Sequence, residues 1–509
     1  MMNRQLRKTT ALLPPLLLVF FGDMALAQTA GGKGDVPLGP PVQSTLPDLG
    51  STANTVITKA DEYQLGRMMM RDLRQENAYF DDPETTEFLQ AVGGRIGVEA
   101  QDGGQSFTFF GVRDRSVNAF ALPGGFIGVN TGLITRTNNE SELAGVMAHE
   151  IGHVVQRHIA RAYVAQKSSS LTALAGLLGA VLIGAVTGSA DAGMGVMAMS
   201  QATAMQQQIN FTRMEESEAD RVGINFLAEA GFDPNGMAGF FSTIMRERGN
   251  ELDEIPSMLL SHPLDQVRIA EARARVGAMP PHTRRPDSAS YPFIRERVRV
   301  LSAPSETDMR GYYENTRAND PANPALVYGA ALAEMKSGSP ATAAALLKNL
   351  VNEQPKLTLL QIALAQAQYA AGQKNDAVAT YERALAVSPR HVPLTVRYAE
   401  TLLDMGRAKK AHQLLLDLFN VETPTPEQVK LIALAASAAG DTGDAYYYMS
   451  EYHISSGDLM LATQQLDLAL ASPDLTPVQR KRFQARREEI RGYLREQRND
   501  RSGRAPPAG

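Results

Sequence analysis

Two histidines one helical turn apart bracket a carboxylate in the run His149-Glu150-Ile151-Gly152-His153. On an α-helix, residues i and i+4 share a face, so both imidazoles can offer a ring nitrogen to one Zn2+. Glu150 lies off that face and can reach the water to be activated, as the general base of a peptide hydrolysis. A catalytic zinc site also needs a third protein ligand and an open fourth position. In Glu215-Glu216-Ser217-Glu218-Ala219-Asp220-Arg221, Glu216 and Asp220 are again four apart. Glu216 can therefore bind the metal while Asp220 orients a ligating imidazole from behind, and Glu215 and Glu218 point elsewhere. The reading is a single Zn2+ per chain, held by His149, His153 and Glu216, with Glu150 and Asp220 as the catalytic carboxylates.

The plain alternative is a surface helix with unrelated histidines and a solvated acidic face. Context decides against it. Asn139 followed by Glu142 forms a capping-box-like start, and Leu143, Val146, Met147, Ile151 and Val154 recur at helical period. The spacing predicts one helix from about residue 139 to 167, carrying the pentad in its middle. Gly152 costs about 1 kcal/mol there relative to alanine. It is explained if a strand or a substrate backbone passes close by.

These residues, with Ser261-His262-Pro263-Leu264 and Arg268 further on, resemble the gluzincin peptidases related to the CAAX prenyl proteases. Given the organisation below, the chain is most similar to the periplasmic members that work in outer-membrane β-barrel assembly. The resemblance covers about residues 55 to 495. It implies His149, His153 and Glu216 as zinc ligands, Glu150 as base, and His262 as a histidine able to take the fourth zinc position in a latent state. It implies misassembled outer-membrane proteins as clients, the β-barrel assembly machinery as partner, and a chaperone-like role in assembly. Without the resemblance, a His-Pro pair in a loop reads as a helix boundary.

Asn118-Ala119-Phe120-Ala121-Leu122-Pro123-Gly124-Gly125 reads as a short strand ended by a Pro-Gly turn. In peptidases of this kind, such an edge strand (Asn118, Ala119, Phe120) pairs with the substrate main chain and leaves side chains weakly selected. An ordinary hairpin packing the helix is compatible with that. Arg268 could contact a tetrahedral oxyanion or a substrate carboxylate, or serve structurally.

Around the site, helical patterns at about 59–78 and 83–99 and two or three strands between Phe107 and Val129 argue for an α+β, mainly helical metallopeptidase domain over 58–276. Residues 1–27 have the form of a secretory signal: Arg4, Arg7 and Lys8, an apolar run, then Ala25-Leu26-Ala27. Its removal would take the formal charge from -5 to -7, and nothing suggests nucleic-acid binding. The chain has no cysteine, which excludes a lipoprotein, a disulfide scaffold and thiol chemistry. A bacterial periplasm fits. Residues 28–57, rich in Gly, Pro, Ser and Thr, read as a disordered leader.

The apolar run 171–199 carries only Asp191 as a charge. A membrane span there would put His149 and Glu216 on opposite sides of a bilayer. It reads instead as a lid over the cleft, as a surface touching membrane or an unfolded client, or as core. Residues 277–322 read as a connector with at most one helix, near Ile294 to Leu301. Beyond it, Gly338, Gly372, Gly406 and Gly440 recur every 34 residues, each followed five positions later by alanine; Gly457 with Ala462 follows at half the period. That is the signature of an all-α tetratricopeptide-repeat solenoid, expected over 323–497. The last helix, with Arg480, Lys481, Arg482, Arg486 and Arg487, reads as a cap, and 498–509 as a disordered tail. The leading function is a periplasmic zinc metalloendopeptidase whose repeats recruit clients. The alternative is a repeat-based scaffold or chaperone with a latent zinc site, against which an intact Glu150 weighs.

Overall fold

A computed structural model describes residues 36, 58–100, 106–165, 213–248 and 257–503. The signal-like stretch 1–27, the leader apart from Val36, the apolar run 171–199 and residues 504–509 lie outside the described residues. Among the described residues, no helix is long and apolar enough to cross a membrane.

The first half begins with α1 (Lys59–Gln75), started by a capping box in which the Thr58 hydroxyl accepts from the Asp61 amide. Next come α2 (Pro83–Glu99), β1 (Thr108–Val112), β2 (Ala119–Leu122) and β3 (Phe126–Asn130). The sheet order is β1-β3-β2, with β1 parallel and β2 antiparallel to β3, so β2 is an edge strand. The turn between β2 and β3 needs its glycines, because Gly124 and Gly125 sit at φ of 80° and 85°.

After the short α3 (Thr131–Arg136) comes α4 (Glu140–Val155), buried on every side from Glu140 to His153. The Asn139 side chain caps it by accepting from the Glu142 amide at 2.9 Å. The Glu142 carboxylate reaches one residue further back than a capping box requires, to the Asn138 amide at 2.8 Å. The helix stops at Val155, twelve residues short of the expected end. Arg157 there adopts a left-handed φ of 52°, its amide bonds back to the Val154 carbonyl, and its guanidinium is held by Glu62 of α1 at 3.1 Å. The chain restarts as α5 (His158–Ala165). Then follow α6 (Arg213–Glu229), α7 (Asn235–Arg248), α8 (Ser257–Ser261) and α9 (Gln266–Ala278).

The expected connector holds two helices, α10 (Tyr291–Leu301) and α11 (Glu306–Asn319), where one at most was read. Tyr291, Phe293, Ile294 and Val298 of α10 bury themselves in the same apolar cluster as α4. The repeat array opens with α12 (Pro324–Lys336), and the Tyr313 ring of α11 fills the space where Gly329 of α12 lacks a side chain. The weak periodicity of α11 had hidden it; a close approach at a glycine holds it.

The array continues as α13 (Pro340–Glu353), α14 (Thr358–Ala370), α15 (Lys374–Val387), α16 (Val392–Asp404), α17 (Ala408–Phe419), α18 (Pro426–Ala439), α19 (Thr442–Ser455), α20 (Leu459–Ala471) and α21 (Pro477–Gly503). The four periodic glycines each end the first helix of a pair at φ between 71° and 87°, a backbone only glycine adopts freely. Gly457 makes the same turn between α19 and α20. Ala343, Ala377, Ala411 and Ala462 are fully buried between helices. Ala445 is only half-buried, and Gly443 takes the tight contact in that unit, against Leu475.

A buried four-charge cluster ties the halves together. Arg297 of α10 clamps Asp82, the N-cap of α2, with bonds of 2.9 and 2.7 Å. Arg397 of α16 reaches Asp82 at 2.9 Å and Glu84 at 2.9 Å. Burial alone would raise the Asp82 carboxyl, but Arg297 and Arg397 hold it well below the usual carboxylate range. Replacing Arg297 by methionine leaves buried acids short of a partner and is expected to cost about 3 kcal/mol in urea unfolding at neutral pH. A depressed carboxylate stabilises above its unfolded value and loses that stabilisation as pH falls. The gap between the two proteins should therefore narrow below about pH 4.

Candidate metal centre

The site is made by two helices that touch backbone to backbone. At Gly152 of α4, an added Cβ would lie 2.9 Å from the Ala219 carbonyl oxygen of α6; at Gly223 of α6 it would lie 2.9 Å from that of Ala148. The chain passing close to Gly152 is thus a helix, neither a strand nor a substrate. This approach brings Glu216 and Asp220 of α6 up to His149 and His153 of α4.

Four donor atoms converge. His153 Nε2 and His149 Nε2 are 3.0 Å apart, and Glu216 oxygens lie 3.4 Å from His149 Nε2 and 3.5 Å from His153 Nε2. His262, delivered by the end of α8 with its amide bonded to the Met258 carbonyl, places Nδ1 3.0 Å from Glu216 and 3.3 Å from His149. All four residues are buried. Ligand atoms around a tetrahedral zinc at 2.0–2.1 Å stand about 3.3 Å from one another, so the spacing fits that ion. The charges agree with the spacing. Burial would lower His149, but Asp220 and Glu216 push it up to about 10, whereas burial and the neighbouring histidines drive His153 well below its usual value. Two carboxylates thus hold on His149 a positive charge that burial alone would remove.

Behind the donors, Asp220 Oδ1 stands 2.8 Å from His149 Nδ1. Arg268 turns its guanidinium onto Asp220 through two bonds of 2.9 and 2.8 Å, onto Glu216 at 2.8 Å and onto the Pro263 carbonyl at 2.8 Å. Its guanidinium is thus engaged by the two carboxylates and a backbone carbonyl.

Glu150 is buried, and burial pushes its carboxyl up against the pull of His262 and His149, with the Ala121 amide of β2 also against it. His262 Nε2 stands 3.6 Å from Glu150 Oε1. His262 therefore fills the space between Glu216 and the prospective base. The edge strand lies beside the site, with Ala119 and Phe120 in β2 and Asn118 just before it.

One residue escaped the sequence reading. His158 Nδ1 lies 2.7 Å from His153 Nδ1, and its other nitrogen lies 3.3 Å from Glu218, which also pairs with Arg161 at 2.8 Å. In an unbroken helix a residue five positions on points about 140° away. Only the break at Arg157 brings His158 back, and His158 is what Glu218 turns toward.

A buried His-Glu donor cluster beside an edge strand, joined to an array of helical hairpins, defines a metallopeptidase with a tetratricopeptide-repeat domain. Residues 83–276 match peptidase family M48 and residues 368–435 match the tetratricopeptide repeat. A relative from Vibrio cholerae is 37% identical over 313 residues, 61% of this chain and 64% of that protein. The β-barrel assembly-enhancing protease of Yersinia pestis is 30% identical over 462 residues, 89% of this chain and 92% of that one. That of Escherichia coli is 29% identical over 494 residues, 96% and 98% of the two chains. This chain belongs to the family of β-barrel assembly-enhancing proteases, within the M48 peptidases.

The α4–α6 contact can be tested by filling it. Gly223→Ala is expected to lower stability by about 1–3 kcal/mol in thermal or chemical unfolding, since the obstacle is backbone. Gly94→Ala, at an exposed site of α2 with nothing within 4 Å, should be stabilising by up to about 1 kcal/mol in the same assay.

Proposed function

We propose that this chain is a zinc-dependent metalloendopeptidase of the bacterial periplasm acting on unfolded or misassembled outer-membrane proteins. In this reading the repeats recruit those clients or the β-barrel assembly machinery, and His262 keeps the site latent. The observation that carries it is the convergence of four buried donor atoms at 3.0–3.5 Å beside the buried Glu150. The relatives' names support a role in β-barrel assembly, from which the client class is inferred, and the signal-like start supports the compartment.

His149, His153 and Glu216 would hold the zinc, which when bound supplies Lewis acidity toward a peptide carbonyl and a water. Asp220 would accept a hydrogen bond from His149 Nδ1–H and so keep the Nε2 lone pair turned inward; His158 Nδ1 would do the same for His153. Arg268 is a positioning residue that keeps Asp220 and Glu216 charged and aligned. Glu150 would accept a proton from the attacking water and return it to the leaving amine. The raised Glu150 carboxyl suits that exchange, because a base whose affinity lies nearer neutrality can also give the proton back. The β2 edge at Asn118, Ala119 and Phe120 would take the substrate main chain by strand addition. His262 stands in the space a water needs, so it must swing out before turnover.

Zinc content and hydrolysis of an unfolded model protein, compared across the chain, Glu150→Gln and His262→Ala, test the reading. Zinc should stay near one per chain in both variants. Cleavage should fall by at least about 10²-fold with Glu150→Gln and rise with His262→Ala. Bound zinc with no cleavage from any of the three would move the function to the repeats as a scaffold.

A further inference from the structure

Val36 is the one described residue ahead of Thr58, and it is seated in the far end of the repeat array. Its amide donates to Glu451 Oε2 at 2.8 Å. Its carbonyl accepts from Arg486 Nη2. Those two side chains clamp each other, with Arg486 Nε 2.7 Å from Glu451 Oε1 and Nη2 2.8 Å from Oε2. Glu451 is 1% exposed and Arg486 3% exposed. The pair thus offers one acceptor and one donor side by side, the same pattern a neighbouring strand offers to a single extended residue.

The surroundings suit an aliphatic side chain. Val36 is 8% exposed and belongs to the apolar cluster that includes Tyr447, Phe483 and Ile490. Tyr447 lies one turn before Glu451 on α19, while Phe483 and Ile490 lie on either side of Arg486 along one face of α21. Pro37 follows in the sequence and disfavours helical backbone at Val36, which suits an extended pose.

An ion pair that only fastened α21 to α19 would not need the extra acceptor and donor. Fastening is already supplied by Arg482, which stacks 4.0 Å from the centre of the Tyr447 ring, by Gln479 donating to Asp444 at 3.1 Å, and by the stacked Tyr447 and Phe483. Two buried charges are costly to desolvate. Beyond the bond from Arg486 Nη1 to Glu489 at 2.8 Å, the pair also holds a main chain from 415 residues away.

We propose that Glu451 and Arg486 form a main-chain binding site for an extended polypeptide segment carrying a small aliphatic residue, and that Val36 of the leader is its occupant within the chain. The site reads an N–H and a C=O of the same residue, so it rejects proline at that position and is otherwise tolerant of sequence. Such a ligand is what an unfolded chain offers at many places. Residue 36 is tethered to Thr58 and competes at high effective concentration. A segment from another molecule therefore enters only when the leader gives way. This site is separate from the metal centre and stands whether or not the peptidase reading does.

The test uses the chain from Gln28 onward and a fluorescent peptide spanning residues 30–42, with binding read by anisotropy. Val36→Asp in the protein evicts the tethered copy without touching a described helix, and should raise affinity for the peptide at least tenfold over the unaltered chain. N-methylation of the peptide's valine amide removes the hydrogen bond to a charged acceptor and should cost about tenfold or more. Val36→Asp in the peptide should abolish binding. Equal affinity for the plain and N-methylated peptides, or no saturable binding to the Val36→Asp protein, would overturn the proposal.

Discussion

The metal centre depends on how closely two helices approach, and that distance is set by what Gly152 and Gly223 lack. Each glycine faces the backbone of the other helix, at Ala219 and Ala148, with no room for a methyl group. A pair of helices carrying ordinary side chains at those positions packs 8–10 Å apart. Here no side chain stands between the two backbones, and the acids of α6 reach the imidazoles of α4. Because Glu216 and Asp220 are one turn apart on α6, a single docking event delivers both a donor and the group that orients its neighbour. Three imidazoles and a carboxylate are then crowded together in a buried place, where like charges and facing lone pairs repel strongly. His149 answers this in part by holding a proton against burial; a dication would answer it fully.

Two irregularities complete the centre. The break at Arg157 converts what would be one long helix into two, and so turns His158 back onto His153. A left-handed non-glycine residue costs of order 1–3 kcal/mol, and the bond from Arg157 to Glu62 of α1 offsets part of it. His262 arrives at the end of the short α8, followed by Pro263 and the Asp265 cap of α9. A ligand position on a loop between two short elements can move without dismantling the core, whereas His149, His153 and Glu216 cannot. That difference in anchoring is the physical ground for the proposal that the helices carry catalysis and the loop carries control.

The repeat array is attached to the peptidase half by charges as well as by apolar contact. Asp82, Glu84, Arg297 and Arg397 meet under α2, and Arg74 pairs with Glu427 at 2.7 Å. Buried ion clusters contribute less net stability than their Coulomb energy suggests, because each charge must first leave water. What they resist is rearrangement, since any displacement strands a charge. The array is in this way held in one register against the catalytic half.

His149, Glu150, His153, Glu216 and Asp220 were legible in the sequence because helical period is a local rule: spacing of four puts side chains on one face wherever the helix sits. The repeat array was legible for the same reason, its glycines returning every 34 residues at turns that demand a positive φ. The β2 edge followed from alternation and a Pro-Gly turn. His158 was invisible, because its position depends on a helix break held by Glu62, some 95 residues earlier. Arg268 read either as a contact for substrate or as a structural residue, and the packing of α9 on α6 sets it against Asp220. The second connector helix rests on Tyr313 fitting against Gly329, a contact with no period. Local backbone preferences fixed which residues could act together on one helix. The meeting of residues from different helices was decided by tertiary packing, because close approach and burial depend on partners distant in the chain.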